Sequence, residues 1–503
     1  MKINLGSGIP RVINNLLIVV IAAVLTACGS DSGDSDKQGY IKFFNASKNA
    51  PAIHLTVDED LDTSEDDDLE LTFGAVEFGQ ALNRNTLSTD HYFYELAWQD
   101  GDSSERSELA LIYQGELTIE QDTIHFIVLN EDVNTPNVQV YDIELIDDSD
   151  DDLYERFNLR LLNLHSPEMT TDVYISKSDQ TFSEAVLVGS YGYQQLSENQ
   201  KFDQGSYVFY LTEAGSDEVM FQSKTIDYFY ASQYLMVIRE NTGAGASPFI
   251  LDKLSSASQT TYIDFNAEAQ FNVYNAIAEH ELLPEYSGSI SMNFTALEQS
   301  LTIENLAYGQ LSDWSRVNNG DYSVDVTSNE QEISLLHNHL LTLPENTNKT
   351  VIFYTDVKNV DDDDDGDVDE DGDGIVDQQE VIVHSLVLDN STSESIYNHK
   401  INMVNLVDSE DFTLVNVYFI RADETIATAL YQRSLGFTSD DTITLNNNTY
   451  QVYVTAKDNS SNIVLTSFAL TLDESSRDQF MVIENDPYSV SGYKASLFDQ
   501  LIE

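Results

Sequence analysis

Ile41-Lys42-Phe43-Phe44-Asn45 is an apolar run that stops on an asparagine, and the chain repeats the phrase three more times. It returns as Leu159-Arg160-Leu161-Leu162-Asn163, Tyr262-Ile263-Asp264-Phe265-Asn266 and Ile401-Asn402-Met403-Val404-Asn405. Segments such as Asp172-Val173-Tyr174-Ile175, Asn272-Val273-Tyr274 and Asn416-Val417-Tyr418-Phe419 come after it. A glycine beside an aromatic also recurs, in Phe78-Gly79, Tyr191-Gly192-Tyr193, Tyr308-Gly309 and Gly436-Phe437. The tyrosines Tyr92, Tyr207, Tyr322 and Tyr450 follow these glycines by 13, 15, 13 and 14 residues. Self-similarity at such spacing means tandem copies of one structural unit.

Each copy closes on a pair of strand-like segments whose first members include Ile124–Leu129, Tyr234–Ile238, Val351–Tyr354 and Phe480–Ile483. Period-2 alternation, β-branched and aromatic residues and short polar turns argue strands throughout. About seven short strands in a unit of about 100–130 residues fit an immunoglobulin-like sandwich. The expected fold is all-β: four tandem immunoglobulin-like β-sandwich units over residues 39–148, 153–254, 260–390 and 396–503.

Composition sets the outer bounds. The 503 residues carry 87 Asp+Glu against 23 Lys+Arg, a net charge of −64, so several domains are expected and a nucleic-acid partner is excluded by repulsion. A 41 % apolar and 10 % aromatic content is enough to build cores. A single cysteine rules out an intrachain disulfide framework and any cysteine-clustered metal site.

That cysteine has an address. Lys2 and Arg11 precede an uninterrupted apolar run from Leu16 to Leu25, which as a helix spans about 15 Å, half of a hydrocarbon core. The run therefore reads as a signal-peptide core rather than a membrane anchor. It ends in Leu25-Thr26-Ala27-Cys28-Gly29, which resembles the bacterial lipoprotein signal. The resemblance implies a signal peptide over 1–27, lipidation of Cys28 and a tether over 28–38. It also implies residence at the outer membrane through a lipid anchor, palmitate among its chains.

Asn45-Ala46-Ser47-Lys48-Asn49-Ala50-Pro51-Ala52, with His165-Ser166-Pro167 and Gly320-Asp321-Tyr322-Ser323-Val324, resembles a bacterial family of secreted and lipid-anchored repeats of unknown function. That resemblance implies an Ig-like fold and an envelope setting, and carries no activity. Units three and four lack both prolines of its opening turn.

One segment carries recognisable chemistry. Residues 361–380 hold 12 acids and no Lys or Arg, where the sister units place short turns. From Asp369 the run fits the twelve-residue calcium loop of EF-hands. Asp369, Asp371 and Asp373 stand at positions 1, 3 and 5, and Gly374 at the sharp turn. Ile375 offers its carbonyl at 7, Asp377 stands at 9 and Glu380 is the bidentate ligand at 12. Strands rather than helices flank it, so it resembles the loop-only sites of dockerins and thrombospondin type 3 repeats. The expected cofactor is Ca2+, and Asp361, Asp363, Asp365 and Asp367 are the candidates for a second ion. A solvated acidic insertion is the alternative.

Asp58-Glu59-Asp60-Leu61-Asp62 and Glu65-Asp66-Asp67-Asp68 lack the turning glycine and read as solvated loops. Asp147-Asp148-Ser149-Asp150-Asp151-Asp152 reads as a charged linker between units one and two. No hydrolase elbow, zinc-protease motif or phosphate-binding loop is present, so catalytic residues are expected to be none. His337-Asn338-His339 is the only close histidine pair and has no identifiable third ligand. Two readings follow. One is a structural or adhesive surface protein with a cell-surface protein or glycan as partner. The other is a lipoprotein that binds carbohydrate or peptide for uptake or sensing, motivated by Tyr207, Tyr210, Tyr228 and Tyr230.

Overall fold

A computed structural model describes residues 37–61, 69–101, 103–146, 155–297, 299–329, 333–361, 368, 376, 378–409, 411–458 and 461–500. They form four β-sandwiches in tandem. Unit one shows the plan with eight strands: β1 (Gln38–Asn45), β2 (Ile53–Asp58), β3 (Glu70–Thr72), β4 (Asn85–Ser88), β5 (His91–Trp98), β6 (Ala110–Thr118), β7 (Thr123–Asn130) and β8 (Asn137–Glu144). One sheet runs β4-β1-β7-β8 and the other β3-β2-β5-β6. All neighbours are antiparallel except β1 and β7, and the same parallel pair recurs in the other three units. Units one, three and four thus have eight strands, one more than the immunoglobulin reading supplies, and unit two has eleven, several of them only two to four residues long.

The recurring asparagine is the fold's fixed point, although one copy was misplaced in sequence. Asn45, Asn163 and Asn405 end their opening strands, Asn275 is one residue from the end of its own, and all four are fully or almost fully buried. Each side-chain oxygen accepts the backbone N–H two residues on, at 3.0–3.2 Å. Each side-chain amide donates to a carbonyl of the loop or strand crossing beneath it, such as those of Val76, Tyr191, Leu306 and Leu435. The true counterpart in unit three is Asn275, on Ala269–Ala276, and not Asn266. Gln259–Tyr262 instead forms the edge strand of unit two's six-stranded sheet. The boundary between units two and three therefore lies after 262, beyond the expected 254, and Asn272-Val273-Tyr274 belongs to an opening strand.

The backbone carbonyl of each asparagine accepts the N–H of a left-handed residue: Gly79, Gln194, Gly309 and Thr438, with φ of 72°, 60°, 73° and 60°. That residue is third in a four-residue turn, where a type II turn favours glycine. The glycines expected at 192 and 436 begin their turns instead. The aligned feature is the aromatic before the left-handed residue: Phe78, Tyr193, Tyr308 and Phe437. In units two to four a tyrosine on the β5-equivalent strand then bonds the carbonyl four residues upstream: Tyr207 to Asp203, Tyr322 to Asn318 and Tyr450 to Asn446. This is the tyrosine corner of immunoglobulin-like sandwiches.

Each sandwich holds its own core between its sheets. Two further apolar clusters lie between sandwiches. Phe44, Phe126 and Val128 of unit one pack on Leu162, Leu235 and Val237 of unit two. Tyr274 and Ile352 of unit three pack on Val404, Phe480 and Val482 of unit four. The sheet holding the parallel pair is therefore buried on both faces, which explains unbroken apolar runs such as Phe126-Ile127-Val128-Leu129.

The turn aromatics fasten these pairs. Phe78 lies beneath the Arg239 guanidinium of unit two, and Tyr193 donates to Glu131 of unit one. Tyr308 donates to the Asn485 carbonyl of unit four, and Phe437 meets Tyr354 of unit three edge to face. Units two and three touch through Asn241 and Asn346, and units one and four through Trp98 stacked on Tyr397 at 4.9 Å. The chain of sandwiches closes on itself.

Candidate functional site

The acidic insertion sits at the end of a hairpin, as its flanking strands imply. Asn348–Asn359 and Gln379–Asp389 pair in register out to Asn359 opposite Gln379. The Val360 N–H then donates to the Gln378 carbonyl at 2.9 Å, closing the neck. Glu380 is exposed on the ladder opposite Lys358, and Asp361 leaves the other side of the same neck. The neck thus brings together the first residue proposed for a second ion and the last proposed for the first. The remaining expected ligands (Asp363, Asp365, Asp367, Asp369, Asp371, Asp373, Ile375 and Asp377) lie outside the described residues, as does Cys28.

The hairpin is longer than its counterparts. Its strands run 12 and 11 residues, against 8 and 8 in unit one, 8 and 6 in unit two and 7 and 7 in unit four. At about 3.3 Å per residue, four extra residues carry the neck of the hairpin about 13 Å further along the strand direction.

Other expectations change on inspection. Asp58 is no part of a solvated loop: it is buried against Arg106, which also contacts Glu70 at 3.6 Å and Glu95 at 2.8 Å. Tyr207, Tyr210 and Tyr228 are buried, Tyr228 stacking on Phe157 at 4.0 Å, so they form no exposed binding platform; Tyr230 alone of the four is exposed. His337 and His339 have separate partners, Asp325 and Ser385, each at 2.6 Å.

A cleft of about 630 Å³ opens where units one, two and four meet. Several of its charged groups are paired. Lys48 lies 3.3 Å from Glu240 and 3.6 Å from Glu394, and Arg239 bonds the buried Asp252 at 2.6 Å. His165 packs on Phe249 at its wall, and burial holds its pKa below the usual histidine range. The cleft is a junction stitched by ion pairs.

A second cavity, of about 290 Å³, lies between units one and two and is lined by Lys42, Arg84 and Arg160. Sequence reading missed these cations because they interrupt strands identified by their apolar neighbours. The available signal was positional: Lys42 and Arg160 each stand three residues before the repeat asparagine.

No family model matches the chain and no curated protein matches it. Among solved structures it is similar to the Bacillus anthracis TIE protein, at 8 % identity over 91 % of this chain and 76 % of that one, with a TM-score of 0.15. It is also similar to BcpA, the major pilin subunit of Bacillus cereus, at 8 % identity over 65 % of this chain and 99 % of that one, TM-score 0.13. The FN1-FN3 domains of chicken CNTN1 match at 10 % identity over 61 % of this chain and 90 % of theirs, TM-score 0.12. Likeness at these scores carries no argument about what this chain does.

Proposed function

We propose that the chain is a non-catalytic lipoprotein of the bacterial cell envelope, held at the outer membrane through Cys28. Its four sandwiches act as a structural or adhesive surface block that presents a calcium loop. The observation that carries this reading is the overlong hairpin, which extends 12- and 11-residue strands to hold out an insertion with EF-hand spacing. Twelve carboxylates within 20 residues repel one another unless a cation is bound, so calcium would order the insertion as well as occupy it. Calorimetric titration of calcium into the chain from Asp31 onward is expected to saturate and to raise the melting temperature. Both effects should vanish in Asp373→Ala/Glu380→Ala. Equal heats from the two proteins would reduce the loop to a solvated insertion.

A second reading, capture of carbohydrate or peptide for uptake or sensing, gains from the closed arrangement of the units, which creates cavities between them. A glycan array and a peptide panel separate the two: a saturable ligand favours capture, and none favours the surface block.

A further inference from the structure

The chain carries nearly four acids for every base, so a cavity lined by bases alone stands out. Among the described residues, the cavity between units one and two has Lys42, Arg84 and Arg160 on its walls and no aspartate or glutamate. None of the three stands in an ion pair among the described residues. The Lys42 ammonium, on a residue only 5 % exposed, donates to the Ser255 carbonyl at 2.8 Å. Arg160 donates to the Ser197 carbonyl at 3.1 Å, and its buried Nε has no acceptor among the described residues. The Arg84 guanidinium lies 4.3 Å from the Tyr40 ring centre. Burial, with Arg84 nearby, lowers the Lys42 pKa to about 8.

Buried charges are ordinarily paired, because desolvation is otherwise uncompensated. The protein supplies its own control for whether the fold demands these cations. Units three and four pack through the equivalent sheets, and three residues before Asn275 and Asn405 they carry Asn272 and Asn402. The architecture therefore accepts neutral amides where the first pair has Lys42 and Arg160. Beside the cations, an apolar wall from Ile124, Phe126, Ile143, Leu235 and Leu254 faces neutral polar residues, Ser232, Gln233 and Ser256 among them. Its volume lies just under the range of about 300–1,000 Å³ common for drug-sized ligands, which suits a small molecule.

We propose that this cavity binds a small amphiphilic carboxylate, with the carboxylate on Lys42, Arg84 and Arg160 and a short apolar tail against Ile143 and Leu235. The site is independent of the calcium loop. Screening within about 8 Å at physiological salt lets three local cations hold an anion despite the distant negative surface.

The test is calorimetric titration of the full chain with sodium octanoate, alongside acetate and octylammonium. Octanoate is expected to saturate one site, acetate to bind at least about tenfold more weakly, and octylammonium not to bind. Lys42→Asn/Arg160→Asn, which copies the sister interface, should lose octanoate affinity at least about tenfold while keeping its calcium response. Arg84→Gln gives the same reading should the double variant melt early. No saturation by octanoate, or equal affinity in the variants, overturns the proposal. A last arm replaces the five aspartates within 147–152, which follow the cavity residue Ile146 in sequence, by asparagine. Octanoate binding only to that protein would assign the cations to the chain's own linker and sink the proposal. Loss of the calcium response alone, in Asp373→Ala/Glu380→Ala, leaves the cavity untouched.

Discussion

Lys42 is a standing cost to the fold. Its ammonium is removed from water and meets a carbonyl and another cation. In the unfolded chain the group keeps its proton to about 10.5, and in the fold it loses it near 8. Below pH 8 both states are protonated and the penalty is constant. Between 8 and 10.5 the unfolded chain binds more protons, so stability rises with pH across that window. Lys42→Met should therefore stabilise the protein at pH 7 by on the order of 2–3 kcal/mol and remove the rise. Urea melts of both proteins at pH 7 and 10 measure this; an unchanged midpoint would show the ammonium to be well solvated. Asp58 teaches the converse about legibility. Its place in an acidic run suggested solvent, but its partner Arg106 lies 48 residues away, and only the folded sheet brings them together.

At the scale of the element, the asparagine turn was legible because its bonds are local in part. The acceptor role of each asparagine is fixed two residues on, and the phrase repeats. Glycine misled the alignment because two units place it at the first turn position and two at the third. Sequence shows the residue and not its φ. Thr438 is the costly solution, a β-branched side chain at φ of 60°. Thr438→Gly should stabilise unit four by about 1 kcal/mol. Gly309→Ala should destabilise unit three by about 1–2 kcal/mol, since φ is 73° and the new methyl would lie 2.7 Å from Lys494 Nζ. Chemical denaturation of each variant reads both, and a neutral Thr438→Gly would mean the turn relaxes without strain. The proposed calcium loop can be read for a similar reason: its twelve positions are contiguous, and the spacing needs no distant partner to be noticed.

At the scale of the molecule, what the sequence concealed is how the sandwiches meet. Adhesive arrays are imagined as strings, yet here both faces of one sheet in every unit are buried, the second by a neighbouring unit. The continuous apolar runs recorded this, but a run buried in one sandwich reads the same as a run buried between two. Alternation on the strand separates the two interfaces. In Gln479–Asn485, Met481 and Ile483 enter unit four's own core, while Phe480 and Val482 face unit three. Phe480 stacks on Phe498 at 5.0 Å beside Tyr274, whose hydroxyl bonds Glu484. Phe480→Asp should therefore part units three and four without unfolding either, whereas Met481→Asp should melt unit four. A compact chain of 503 residues has a radius of gyration of about 23 Å. Small-angle scattering should give a value near this for the wild type and a clearly larger one for Phe480→Asp, with β circular dichroism retained. If the variant scatters like the wild type, the contacts between units one and four and between two and three suffice to hold the ring. If the wild type itself scatters as a string, the closed arrangement fails. The cavity between units one and two should survive the Phe480→Asp opening, since its walls come from the other pair.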